Sequence, residues 1–298
     1  YADLTVHFLD VGHGDCAIIE CDGHSMIIDG GKAGCSDLVF SYIKELGIKE
    51  IDYAIASHPD ADHIGGLPAA FHAAEVKSLY TPVLEHDTER FATLMRTASE
   101  KNVAVIVPTV GDVLQLGEAT ATIISPEQQT SDENENSIVV LLQYGKNRFL
   151  FCADAGEKTE AKLREKYPDL QADVIKVAHH GSGTASQMQF VLAVAPRYAV
   201  ISGNNSYNNP DEEVVTKWLV GKAQILHTLQ NGHIVMHSDG ESIVIDNQHQ
   251  YVGNRNSDVF HHYYCSSVEK MKAKNKVFYY TREEVVFYGY RPCKNCKP

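Results

Sequence analysis

The sequence predicts an α/β sandwich of mixed strand direction, followed by a small separate module stapled by metal. Three observations carry this. Short β-type runs come in groups before each helical segment, and this order repeats twice, which argues against a strictly alternating parallel sheet. Three apolar runs end in clusters of His and Asp. The net charge of −13 is unevenly spread: residues 1–250 carry 17 Lys and Arg against 35 Asp and Glu, whereas residues 251–298 carry nine against four. At 44% hydrophobic and 22% charged, the 298 residues are ordinary globular material, so wholesale disorder and collagen-like repeats are excluded. No run approaches 18 apolar residues, so no spanning helix is expected.

Taken in order, residues 4–9, 16–20 and 25–29 read as strands separated by glycine-bearing turns. Residues 36–46 have helical spacing, with Ser36 or Asp37 as N-cap and Gly47 as stop. Residues 52–57 form a strand that runs into a His/Asp loop. A helix over 87–101 and a strand over 103–107 follow. Strands are expected at 119–125, 137–144 and 148–153, with a polar, acidic surface loop over 128–136. The second half alternates: helix 156–167, strand 172–177, helix 186–193, strand 197–202, helix 211–220, strand 224–226. Residues 232–237 and 241–246 form a hairpin around Ser238-Asp239-Gly240. The Gly/Asn/Ser composition then sets a domain boundary: residues 1–247, a linker over 248–257, and a module over 258–298.

His58-Pro59-Asp60-Ala61-Asp62-His63 is the densest chemical signal, four ligand-type residues in six positions directly after an apolar run. Pro59 and the loop position argue against a helical face, and imidazole with carboxylate suits Zn, Mn or Fe. Gly65 and Gly66 allow close backbone approach. Two further apolar runs deliver Asp154 and His179-His180. A lone Asp at a strand end is ordinarily a cap; beside the first cluster, a bridging carboxylate and a further imidazole would complete a two-metal site.

These residues resemble the metallo-β-lactamase fold superfamily, and more closely the hydrolase domain of the ComEC competence proteins. The resemblance rests on Phe8-Leu9-Asp10-Val11-Gly12-His13-Gly14-Asp15, Ile28-Asp29-Gly30-Gly31, the His58–Leu67 loop, Glu133-Asn134-Glu135-Asn136-Ser137, Cys152-Ala153-Asp154-Ala155 and His179-His180-Gly181-Ser182-Gly183-Thr184. It implies an αββα metallo-β-lactamase-type sandwich holding one or two divalent metals, Zn or Mn. His58 and Asp60 then belong to the first metal, Asp62 and His63 to the second, with Asp154 bridging and His179 as the last imidazole. His180 is the competing ligand. Asp62, His180 and His13 are the candidates for acting on substrate. Asp10, Asp15 and Asp29 support the ligands from glycine turns or merely cap those turns. Three departures from the family pattern stand out. Asp60 replaces an imidazole, which favours Mn²⁺ over Zn²⁺. No His occupies the usual third position for the first metal; Asn134, Asn136 and Ser137 lie there. Asn209-Pro210 stands where relatives carry His-Pro.

Seven cysteines are present, and Cys16, Cys21, Cys35 and Cys152 read as plain thiols. In the tail, His261-x₃-Cys265 and Cys293-x₂-Cys296 are two ligand pairs separated by 27 residues, the pattern of one structural Zn. Disulfide pairing would leave one thiol over. The stretch resembles the zinc-binding module of the Ada DNA-repair proteins, with His261 in place of the first cysteine and His262 as the competitor if the spacing slips by one. Lys270, Lys272, Lys274, Lys276 and Arg282 with Phe278, Tyr279 and Tyr280 either offer phosphates and bases a surface or simply solubilise a strand.

The expected activity is a metal-dependent hydrolase, a phosphodiesterase or nuclease acting on DNA. Two alternatives stand beside it. One is hydrolysis of another ester, such as a phosphocholine-type diester, a lactone or a β-lactam. The other is a weakly active or inactive metal-binding protein that docks to DNA or the cell envelope. DNA is the expected partner, and protein partners are not specified by the sequence. The two-module layout of the relatives implies export or surface association in a Gram-positive bacterium, with a cytoplasmic site as the alternative.

Overall fold

A computed structural model describes residues 4–203, 209–246, 251–262, 265–279 and 282–298. The strands run β1 (Leu4–Phe8), β2 (Ala17–Cys21), β3 (His24–Ile28), β4 (Glu50–Ile55), β5 (Glu75–Tyr80), β6 (Ala104–Ile106), β7 (Val113–Leu116), β8 (Ala119–Ser125), β9 (Val139–Tyr144), β10 (Asn147–Phe151), β11 (Val174–Lys176), β12 (Tyr198–Ile201), β13 (Gln224–His227), β14 (Ile234–Ser238) and β15 (Ile243–Ile245). They form two sheets, in the order β15-β14-β1-β2-β3-β4-β5-β6 and β13-β12-β11-β10-β9-β8-β7.

Period-two alternation builds the layers. Phe149 and Phe151 of β10 enter the cluster between the sheets, beside Phe8, Met26 and Val140. Leu150 and Cys152 face the other way, into a second cluster with Phe190, Val214 and Trp218 from the helices Met188–Val194 and Glu212–Val220. On the far side, Val39 and Ile43 of the helix Ser36–Glu45 and Leu94 of the helix Glu89–Glu100 cover Ile18, Ile27 and Ala54. The result is helix, sheet, sheet, helix, as expected.

Strand direction places the site. β3 and β4 are parallel, as are β10 and β11. Their carboxyl ends release Asp29, Ser57-His58, Asp154 and His179-His180 at one edge of the sandwich. The backbone ties these ends together: Ile138 N donates to Ser57 O across the sheets (2.9 Å), and His179 N donates to Ala153 O (2.9 Å).

The structure adds β5 and β7, which the sequence reading lacked. Glu75 and Lys77 in β5 and Gln115 in β7 are exposed polar positions that dilute the apolar signal. It also corrects the linker. β16 (Tyr251–Asn254) pairs with both β17 (Val259–His262) and β18 (Lys276–Tyr279), and β17 pairs with β19 (Arg291–Pro292). Gly253 was read as linker glycine, yet a Cβ there would lie 2.7 Å from the Tyr290 ring. It is a strand glycine that admits an aromatic. Residues 247–250, on which the predicted boundary fell, lie outside the described residues.

Candidate metal centre

Three loops interlock around the His58–His63 segment. Gly30 N donates to His63 O (2.7 Å), Gly31 N to Asp15 O (2.8 Å), and Gly66 N to Gly31 O (2.8 Å). A Cβ on Gly66 would lie 2.2 Å from Gly30 O, so only glycine permits this approach. Asp29, Ala153, His179 and His180 all have positive φ, between 47° and 59°. Four non-glycine residues in the left-handed region at three strand ends mark a place where the surroundings impose the backbone, as functional sites do.

Asp154 is the centre. His63 Nε2 lies 3.1 Å and His180 Nε2 3.6 Å from its Oδ1; His179 Nε2 lies 3.7 Å and His58 Nε2 3.8 Å from its Oδ2. Asp60 Oδ2 approaches His58 Nε2 (3.6 Å), and Asp62 Oδ2 approaches His180 Nε2 (3.5 Å). His13 Nε2 completes that second side, 3.4 Å from Asp62, its ring centroid 4.3 Å from that of His180. The sequence reading chose His179 over His180 as the last imidazole. The geometry turns both to Asp154, one toward each oxygen. His179 therefore stands on the side where no third histidine was found, and the fully buried His180 stands on the other.

A hydrogen bond on the other nitrogen fixes each buried ring. His63 Nδ1 donates to Asp29 Oδ2 (2.8 Å) and His180 Nδ1 to Ser202 O (3.1 Å). Ser57 Oγ accepts from His58 Nδ1 (3.0 Å) and donates to Asp29 Oδ2 (2.7 Å), while Ser57 N donates to Asp29 Oδ1 (2.8 Å). This leaves the Nε2 atoms of His58, His63 and His180, and Asp154 Oδ1, buried without a hydrogen-bond partner among the described residues. Lone pairs facing a carboxylate need a cation between them. Electrostatics agree. Burial lowers the His180 imidazole, but Asp154, Asp15 and Asp62 overcome it and push it up to about 9. The potential that draws a proton to this ring also draws a divalent ion. The residues fit a two-metal centre: His58, Asp60, His179 and Asp154 on one side; Asp62, His63, His180 and Asp154 on the other, with His13 beside them.

The other candidates divide. Asp29 supports His63 and Ser57, as described. Asp15 Oδ1 lies 3.4 Å from His180 Nδ1. Asp10 Oδ1 accepts from Gly12 N (3.2 Å), a turn cap. The Asn136 amide is not presented to a metal: Oδ1 accepts from Thr130 N and Nδ2 donates to Thr130 O, closing the acidic loop. Ser137 is buried, its Oγ without a hydrogen-bond partner among the described residues. Asn209 lines, with His13, Asp62 and His179, an open cleft of about 570 Å³. Residues 204–208, directly before it, lie outside the described residues.

Sequence reasoning missed Ser57 and Lys176. Lys176 is 4% exposed, and its Nζ lies 2.8 Å from Asp15 Oδ2 and donates to Val177 O (2.8 Å). A lysine inside Val174-Ile175-Lys176-Val177 was the readable signal, because a buried ammonium needs a partner. Burial favours a protonated Asp15, yet Lys176 and His180 hold the carboxyl well below its ordinary range. Lys176→Met should destabilise the protein by roughly 3–5 kcal/mol, read from the urea midpoint, because Asp15 is left buried and uncompensated. Lys176→Met with Asp15→Asn should recover part of that loss. An unmoved midpoint in the single variant would contradict the pairing.

The tail holds a second cluster. Ligand atoms of His261, Cys265, Cys293 and Cys296 lie within 4.8 Å of one another. The parallel pairing of β19 with β17 brings Cys293 beside the histidine, with Cys293 N donating to Phe260 O (2.8 Å). His261 Nδ1 is buried without a hydrogen-bond partner among the described residues. Strand alternation sends His262 to the other face, where its ring stacks on Tyr251 (5.4 Å between centroids). No helix among the described residues is long and apolar enough to cross a membrane.

The family model for the metallo-beta-lactamase superfamily matches residues 9–203, and that for the metal binding domain of Ada matches residues 245–298. ComE operon protein 3 of Bacillus subtilis is 28% identical over 253 residues, covering 77% of this chain and 32% of that protein. Recombination protein 2 of Haemophilus influenzae is 27% identical over 237 residues, covering 77% and 28%. The chain thus spans about a third of the length of these curated relatives. The metallo-beta-lactamase fold protein YhfI of Bacillus subtilis superimposes with a TM-score of 0.54 at 13% identity, over 79% of this chain and 100% of that one.

Proposed function

The chain belongs to the metallo-beta-lactamase superfamily of metal-dependent hydrolases, and from that premise we propose that it is a phosphodiesterase acting on DNA. One observation carries the reading: both oxygens of Asp154 face imidazoles, so the site is built for two ions sharing one carboxylate. Bound as a pair, divalent ions acidify water and neutralise the charge developing on a phosphoryl centre. The chain's own residues supply the rest. Asp29 and Ser57 orient His63 and His58; Ser202 orients His180. His13 and Asn209 on the cleft wall are placed to touch substrate. Asp60 adds a carboxylate where an imidazole would favour zinc, so manganese is the proposed ion. Names that speak of competence and recombination among the relatives point to DNA.

The test uses metal-stripped protein re-supplied with Mn²⁺ or Zn²⁺. Hydrolysis of bis(p-nitrophenyl) phosphate and of single-stranded DNA should return, with Mn²⁺ the better ion. Stoichiometric metal without turnover of either would sink the reading and favour another ester or a binding role.

A further inference from the structure

Residues 1–250 are strongly acidic, and such a body repels a polyanion at long range. Yet two exposed cations, Lys32 and Arg90, line the cleft that opens onto His13, Asp62 and His179. They arrive from separate elements. Lys32 follows the Gly30-Gly31 turn after β3, and Arg90 sits in the first turn of the helix Glu89–Glu100. A neutral lactone presents nothing for a pair of cations beside the reacting group, and a β-lactam only its single ring carboxylate. A polynucleotide does, because phosphates flank the one being cut.

We infer that Lys32 and Arg90 bind the non-scissile phosphates next to the bond being cleaved, and so select an oligonucleotide over a mono-phosphate diester. This rests on the phosphodiesterase reading above and assigns substrate-positioning residues within it. Lys32 acts as a point charge, and Arg90 can grip a phosphate with two N–H groups.

The experiment compares wild-type holoenzyme with Lys32→Ala, Arg90→Ala and the double variant, all at exposed positions. Binding of a 5′-phosphorylated, 3′-fluorescein-labelled phosphorothioate deoxytrinucleotide, whose three phosphates are one for the metals and one for either side and which is too short to engage much else, is measured by anisotropy across a salt series. Hydrolysis of bis(p-nitrophenyl) phosphate is measured in parallel. Each single variant should weaken trinucleotide binding about tenfold. The double variant should reduce the salt slope by about 1.4, two single-strand phosphate contacts. Bis(p-nitrophenyl) phosphate hydrolysis should fall far less than trinucleotide binding, and Lys32→Arg and Arg90→Lys should retain most of the binding. Equal binding by wild type and double variant overturns the inference, as does a wild type that fails to bind the probe. A wild type that binds the probe but does not hydrolyse bis(p-nitrophenyl) phosphate overturns the phosphodiesterase reading alone. In that case a loss of binding in the double variant still upholds Lys32 and Arg90 as the phosphate site.

Discussion

Asp154→Ala should lower turnover of bis(p-nitrophenyl) phosphate on the order of a thousandfold, about 4 kcal/mol of transition-state stabilisation. The size follows from position. Asp154 is 3% exposed, and its two oxygens are approached by four imidazoles from two loops. Deleting the carboxylate leaves those nitrogens facing one another with no negative charge to hold cations between them. Bound Mn²⁺, measured by elemental analysis after dialysis, should fall in step with activity. Asp154→Asn separates charge from shape: it keeps the volume and one acceptor but loses the charge, and it should be nearly as inactive. If Asp154→Asn kept activity and metal, the carboxylate would not be a shared ligand, and the chemistry would have to lie elsewhere in the cleft. The alanine variant should stay folded, because the loops are also joined by backbone bonds such as Gly30 to His63 and Gly31 to Asp15.

The ligand segment was legible because its chemistry is dense. Four ligand-type residues in six positions after an apolar strand leave few structural alternatives. The division of labour between His179 and His180 was not legible. Two consecutive residues in the left-handed region have no signature in propensity, since tertiary contacts impose that backbone. Only the pairing of β10 with β11, which sets His179 N against Ala153 O, points the two rings to different oxygens. Asn136 stands where the family pattern has a histidine, and only the structure shows its amide closing onto Thr130. The linker was misread because Gly and Asn ordinarily mark loops, and nothing in the sequence shows that Gly253 sits in a strand where the Tyr290 ring leaves no room for a side chain.

Removing the metal from the tail should unfold residues 251–298 while the sandwich persists. Among the described residues, the module's apolar interior is two small groups. Val252, Cys265, Val268, Met271 and Cys293 form one; Phe260, Tyr279 and Val285 form the other. Two residues of the first group are themselves candidate ligands, so packing and metal binding are one event. Fewer than 50 residues with so little burial cannot offset the conformational entropy of ordering them. A structural zinc contributes on the order of 10 kcal/mol of coupled binding and folding free energy, enough to decide the outcome. Cys296→Ser tests this without a chelator, which would also strip the sandwich. In ¹⁵N spectra of the full chain with zinc present, tail amides should collapse toward random-coil shifts and become protease-sensitive. Amides of the sandwich should keep their positions. If the tail stayed dispersed in Cys296→Ser, the remaining His261, Cys265 and Cys293 would suffice to hold the ion. If it stayed dispersed after complete zinc removal, the staple would be the four-stranded pairing of β16 to β19, and metal would be a passenger on a fold that did not need it.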